Sequence, residues 1–341
     1  MHKNKKDKIN KFITHKYAET SLGEFNRMEK KPILFVRHLT KRYFGKKTPA
    51  INDISFNVFP GEFHAFIGAN GAGKTTTIKS LIGAYINWSG TILIQGIKNN
   101  KEDAKKKLGY IPENARFPDK FSALQYLEWM VMLSGLPRKK ARLFAETQLK
   151  ELKMWGLRRK SPNSFSSGQK KKILLAQALI HNPDIIIMDE PVANLDPKAR
   201  IDFFDKLLEL KSQGKAIFVS SHVLAELDRY SDSVTVLDGG KIVYTGSKDA
   251  LLKRFSQNRY LCETNDQAKT EACLKSKRIK YHLDEARNFI IRFSNEKQIR
   301  DFQMKILKLN IRLLQFRHLL PTLDEIYKKL VIKGSVDTMA G

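Results

Sequence analysis

Gly68-Ala69-Asn70-Gly71-Ala72-Gly73-Lys74-Thr75 fits the pattern GxxxxGK[ST] at every constrained position. Glycines in such a loop let successive backbone N–H groups curl around phosphate oxygens, where a Cβ would collide or demand a costly φ. The helix expected from Thr76 to Ile82 points its N-terminus at the same anion. The pattern sets the Lys74 ammonium between the β- and γ-phosphates and offers the Thr75 hydroxyl to Mg²⁺. A second constellation is Ile185-Ile186-Ile187-Met188-Asp189-Glu190, an apolar strand ending in two adjacent carboxylates. Successive strand residues point to opposite faces, so the two acids serve different purposes. Asp189 is placed to hold the Mg²⁺ shell and Glu190 to reach an attacking water as general base. A strand ending in Asp-Glu is common by itself. Together with the glycine loop it points to nucleoside triphosphate hydrolysis.

These residues need elements to hold them. His64-Ala65-Phe66-Ile67 reads as a strand running into the glycine loop. Ile33-Leu34-Phe35-Val36 opens ordered structure as a strand, and Ile54 to Val58 alternates as a half-buried strand does, before a Pro60-Gly61 turn. Residues 121 to 155 differ in character. Ser122 and Gln125 form a capping-box pattern, Leu124, Leu127 and Val131 share a helix face, and Ala141, Ala145, Leu149 and Leu152 keep helical spacing after Pro137. Strands return at Ile185–Met188, Ala216–Ser220 and Val234–Leu237. After Phe255 the order strand-helix-strand-strand-helix-strand, closed by a helix from Thr322, suggests a small ferredoxin-like α+β domain. The expected division is a basic flexible tail over 1–32, an α/β domain over 33–255 with a helical insert at about 115–165, and an accessory domain over 256–341.

Three further motifs carry a resemblance. Phe165-Ser166-Ser167-Gly168-Gln169 lies about twenty residues before Asp189 and resembles the LSGGQ signature of the ABC ATPase family, ahead of a helix expected over Gln169–Leu179. It departs from that signature at Phe165 and Ser167. Ala193-Asn194-Leu195-Asp196-Pro197 resembles the family's D-loop, and Val219-Ser220-Ser221-His222 looks like the strand that carries its switch histidine. The resemblance spans residues 33 to 250 and implies a P-loop NTPase of ABC type with a helical subdomain. It implies that Tyr43, Gly68, Ala69, Asn70, Gly71, Ala72, Gly73, Lys74, Thr75 and Thr76 bind ATP, with Tyr43 stacking on adenine and Phe44 its competitor. Glu190, His222 and Lys74 take the catalytic roles, and Thr75, Asp189 and Glu113 the metal. Glu113 stands where the family usually has Gln; a carboxylate still ligates Mg²⁺ but lacks the amide donor. Ser166, Ser167, Gly168 and Gln169 serve the nucleotide of a second ATPase subunit, in a homodimer or heterodimer, and Asp196 couples the two sites.

The same resemblance implies transmembrane permease subunits as partners and a place at the cytoplasmic face of the cell membrane. Leu175 to Leu179, His222 with Leu224 and Glu226, and Pro321 to Tyr327 are similar to the subfamily of multidrug, antibiotic, lipid and sodium exporters. No run approaches the ~18 apolar residues of a membrane helix. The two cysteines of the chain, Cys262 and Cys273, form no framework or metal spacing. The net charge of +27, from 62 basic against 35 acidic residues, favours polyanions: an anionic membrane surface, or nucleic acid in the competing reading of a soluble ABC ATPase. A single glycine loop, and no zinc module or long coiled coil, argue against nucleic acid. The third reading is a catalytically weak half of a heterodimer, motivated by Ser167 and Glu113.

Overall fold

Where a half-buried strand alternates, a strand covered on both faces is apolar throughout. Phe63–Ile67 and Ile185–Asp189 are buried at every position, and both lie inside one sheet. The computed structural model describes residues 31–114, 116–256 and 258–337. Of the basic tail expected over 1–32, residues 1–30 lie outside the described residues. The chain divides into two compact units between Ser247 and Lys248.

The first unit holds two sheets. One is antiparallel, in the order β2 (Ile51–Val58), β1 (Leu34–Lys41), β4 (Ser89–Ile94), β5 (Ile97–Lys98). The other runs β10 (Lys241–Ser247), β9 (Ser233–Asp238), β3 (Phe63–Ile67), β8 (Ala216–Ser221), β7 (Ile185–Asp189), β6 (Leu108–Ile111). It is parallel except for β10 at its edge. Phe56 of β2 joins the two sheets, its ring 5.5 Å from Phe66 and 5.9 Å from Phe218. Ile67 pairs with Ser221, Asp189 with Ser220 and Ile111 with Met188. The glycine loop, Glu190, His222 and Glu113 therefore all leave the same edge of one sheet, the carboxyl edge where ligands bind in open α/β folds.

The sheet's helices are α1 (Lys74–Leu81), α2 (Glu102–Lys105), α5 (Ser167–Ala178), α6 (Pro197–Ser212) and α7 (Leu224–Tyr230). The helical insert is built on α3 (Ala123–Leu133) and α4 (Arg138–Glu151). Both bonds of the Ser122–Gln125 capping box are made. Leu124, Leu127 and Val131 on α3, and Ala141, Ala145 and Leu149 on α4, are buried at the spacing that turns one face inward. Helix α5 starts at Ser167, not at Gln169, because the Ser166 hydroxyl accepts from the Gln169 N–H and makes Ser166 the N-cap. Among the described residues, no helix is long and apolar enough to cross a membrane.

The second unit contains α8 (Lys248–Phe255), β11 (Arg259–Thr264), α9 (Gln267–Ser276), β12 (Lys280–Leu283), β13 (Phe289–Arg292), α10 (Glu296–Lys308), β14 (Leu313–Leu319) and α11 (Leu323–Asp337). Its antiparallel sheet runs β12-β13-β11-β14, the strand order of a ferredoxin-like fold. The core of this unit includes Cys262, Phe289, Ile291, Phe293, Phe302 and Ile306. Sequence reading set the boundary after Phe255; α8 instead falls within this unit, beside α11. Burial pushes the Cys262 thiol up to about 12, so it stays neutral and unreactive.

Candidate functional site

A cleft of about 390 Å³ opens at the carboxyl edge of the parallel sheet, lined by Tyr43, Ala50, Asn70, Gly71, Gly73, Lys74, Thr75, Thr76, Glu113, Glu190 and His222. Its shape begins with the glycines. Gly73 has φ +107°, and a Cβ there would lie 2.7 Å from the Ala50 carbonyl oxygen. Gly68 has no room either, since a Cβ would meet the Leu237 carbonyl oxygen at 2.5 Å. Gly71, at φ +81°, needs its freedom for conformation alone, because nothing lies within 4 Å. Gly73→Ala is expected to combine strain and collision, costing about 1–3 kcal/mol for the backbone alone. Thermal melting and nucleotide titration of the variant check this; a parent-like melt with parent-like affinity contradicts it.

Lys74 is the first residue of α1 and is buried. Its Nζ donates to the carbonyl oxygens of Gly68 and Ala69, at 2.8 and 3.2 Å. It also pairs with Glu190 Oε1 at 3.4 Å. The other oxygen of Glu190 lies 2.9 Å from His222 Nδ1 and 3.4 Å from the His222 backbone N–H. One carboxylate thus joins the glycine loop to the histidine after β8. Glu190 itself sits at φ 44°, in the left-handed region that a non-glycine residue adopts at a cost.

Ser220 sets the two acids apart. Its hydroxyl donates to Asp189 Oδ1 at 2.7 Å and accepts from the Glu190 N–H at 3.1 Å. Asp189 is buried, hydrogen-bonded and held at the strand end, while Glu190 turns into the cleft. Glu190 lies one residue beyond β7 at a positive φ, so its turn away from Asp189 comes from the backbone at the strand end and from the hydroxyl of the neighbouring strand, not from strand alternation.

Tyr43 lines the cleft, with its hydroxyl 3.0 Å from Thr76 Oγ1 and its ring edge-on to Tyr85. Phe44, the competitor, is fully exposed and lines nothing there. Ser166, Ser167, Gly168, Gln169 and Asp196 are not brought to this cleft. Ser166 and Gln169 exchange the two bonds of a capping box. Gly168 has a packing reason as well: a Cβ would lie 3.0 Å from the Ala199 methyl. Asp196 caps α6, accepting from the Ala199 N–H at 2.8 Å.

Besides the Ser220 bridge, two groups near the site escaped sequence reading. Lys171 of α5 is buried and donates to the carbonyl oxygens of Pro112 and Glu113, 2.7 Å each. Burial draws its ammonium down to about 8, against the pull of the Glu113, Asp189 and Glu190 carboxylates. Arg200 of α6 donates to the Leu195 carbonyl at 3.1 Å and pairs with Glu226 of α7. It ties the loop before Asp196 to the helix after His222. Burial raises the Glu226 carboxyl, opposed by Arg200.

A glycine loop between a parallel strand and a helix, with a strand-end carboxylate opposite its lysine, defines a nucleoside triphosphatase of the phosphate-loop class. The comparisons with known proteins carry this further. The family model for ABC transporters matches residues 51–193. A putative ABC transporter ATP-binding protein of Mycoplasma pneumoniae is 44% identical over 252 residues, 73% of this chain and 77% of that protein. The Nod factor export ATP-binding protein I of Burkholderia orbicola is 32% identical, over 65% of this chain and 73% of its own length. A solved ATP-binding subunit of an ABC transporter aligns with TM-score 0.59 and 31% identity, over 65% of this chain and 93% of that one. The chain belongs to the ATP-binding proteins of ABC transporters, and it binds and hydrolyses ATP.

Proposed function

We propose that this ATPase powers export across a membrane, with the transmembrane path supplied by separate permease subunits and the chain held at the cytoplasmic face. The observation that carries the catalytic part is the convergence of Lys74, Glu190 and His222 on one cleft at the carboxyl edge of the sheet. Support for the direction of transport is the likeness to a relative named for Nod factor export. The likeness of Pro321 to Tyr327, in the small C-terminal unit, to the exporter subfamily adds to that support.

ATP enters with its phosphates against the glycine loop and its adenine beside Tyr43. Lys74 then moves its ammonium from Glu190 to the phosphate oxygens, and the Glu190 carboxylate is released for catalysis. Glu190 takes the proton of the attacking water. His222, bonded to Glu190 through Nδ1, holds the carboxylate and can contact the γ-phosphate. The Thr75 hydroxyl and the Glu113 carboxylate line the cleft, and the Asp189 carboxylate ends the strand next to Glu190. These oxygen donors would suit Mg²⁺, which keeps only one or two carboxylates beside substrate phosphates. A Mg²⁺ held by these residues would supply neutralisation of the charge that builds on the phosphates.

Ser166, Ser167, Gly168 and Gln169 face the nucleotide of a second ATPase subunit, and Asp196 lies at the junction. The chain's +27 charge gives it an affinity for an anionic membrane surface as well. Detergent extraction of membranes holding the tagged full-length chain tests the assignment. A polytopic membrane protein should co-purify with it and raise its ATPase rate. Release by mild salt with RNA attached, and no membrane protein, would overturn the transporter reading.

A further inference from the structure

The helical insert joins the sheet domain through two chain segments. One enters at Pro112–Glu113, directly after β6, and the other leaves through Phe165 and the start of α5. Lys171 bridges them. It sits one turn into α5, is 4% exposed, and gives two hydrogen bonds of 2.7 Å to the carbonyl oxygens of Pro112 and Glu113. The lysines on either side of it, Lys170 and Lys172, are less buried, so the inward turn is particular to this one. A buried ammonium is costly to desolvate and persists where its bonds are made. Its two acceptors belong to the residue that lines the ATP cleft and the residue before it.

We infer that Lys171 is a positioning residue that couples the Glu113 loop to the signature helix, so that a shift of Glu113 at this chain's own ATP moves Ser166–Gln169 at the partner subunit's ATP. The inference rests on the reading of Glu113 and the signature given above. A displacement of Glu113 towards bound nucleotide carries its carbonyl oxygen along, because side chain and carbonyl share one Cα. Two short bonds from one ammonium pass that displacement to α5 at its first turn. The charge has a second use. The Glu113 carboxylate, placed where an amide is usual, finds a cation close by, and its attraction for Lys171 helps keep that ammonium charged despite burial.

The test compares full-length parent, Lys171→Met, Lys171→Arg, Glu113→Ala and the Lys171→Met/Glu113→Ala pair, with steady-state ATPase kinetics, equilibrium ATP affinity and thermal melting for each. Lys171→Met should lower kcat about tenfold or more while KM and ATP affinity shift less than about threefold, since transmission is lost and the cleft is not. Lys171→Arg keeps charge and donors and should recover most of kcat. The double variant should be no slower than the slower single one, as coupled residues are non-additive. Lys171→Met at the parent kcat overturns the inference, and so does a double effect equal to the product of the single ones. Should Lys171→Met fail to fold, Lys171→Gln, with one shorter neutral donor, takes its place under the same criteria. Glu113→Ala at the parent rate would instead remove the underlying reading of Glu113, an outcome separable from the Lys171 result.

Discussion

Glu190→Gln binds ATP and turns it over about 10²–10⁴-fold more slowly, the range lost with a positioned general base. The structure explains why this substitution isolates chemistry from folding. Glutamine matches the shape of glutamate and retains an oxygen acceptor. Lys74 keeps its bonds to the Gly68 and Ala69 carbonyls at 2.8 and 3.2 Å, so its ammonium is not stranded when the carboxylate goes. His222 retains its place after β8. What disappears is the basicity that takes a proton from water. Phosphate release under saturating ATP, with ATP affinity measured separately, checks the expectation. Hydrolysis at the parent rate would remove Glu190 from the role of base.

Lys74→Ala acts on binding. A hydrogen bond to a charged group contributes about 1.5–3 kcal/mol, which sets a loss in ATP affinity of about 10- to 150-fold. The lower end is expected, because without nucleotide the same ammonium already bonds to Glu190 and to two carbonyls, and ATP exchanges those contacts for others. A second effect appears in the free protein. Both side chains of the Lys74–Glu190 pair are buried, and removing one partner of such a pair costs about 3–5 kcal/mol. His222 bonds the carboxylate still and softens that loss. Lys74→Ala should therefore melt at a lower temperature than the parent before any ATP is added. Equilibrium titration with ATP and a melt in its absence measure the two effects. Parent-like ATP affinity would contradict the phosphate-loop assignment.

Much of the site was readable because its parts are contiguous in sequence. The glycine loop, the Asp189-Glu190 strand end and the strand before His222 each declare themselves within a handful of residues. So does the capping box at Ser122, whose two partners lie three residues apart. What could not be read depends on which strands are neighbours. Ser220 bridges Asp189 and the Glu190 backbone only because β8 lies beside β7. Lys171 is the middle of three consecutive lysines, and nothing in that run marks the one that turns inward. Arg200 meets Glu226 through the packing of α6 and α7, twenty-six residues apart.

The fold shows the same division. Apolar runs such as Ile185–Met188 announce buried strands. Ser89–Ile94 begins with Ser-Gly, which weakens its strand character, and its pairing with β1 decides the matter. Gly90 accepts a position hard against the His38 backbone, where a Cβ would meet the His38 carbonyl oxygen at 2.4 Å. The break between the two compact units falls before α8, a helix whose pattern is compatible with either side. Its neighbour α11, nearly seventy residues later, settles which side it joins.

The decisive measurement uses Glu190→Gln in the full-length chain, incubated with ATP and Mg²⁺ and then separated from free nucleotide by rapid gel filtration. Both the identity of the retained nucleotide and the mass of the particle are read from the same fraction. If Glu190 is the base and each ATP is enclosed between two ATPase subunits, the fraction holds unhydrolysed ATP in a dimeric particle. ADP in a particle the size of the nucleotide-free chain would contradict both claims.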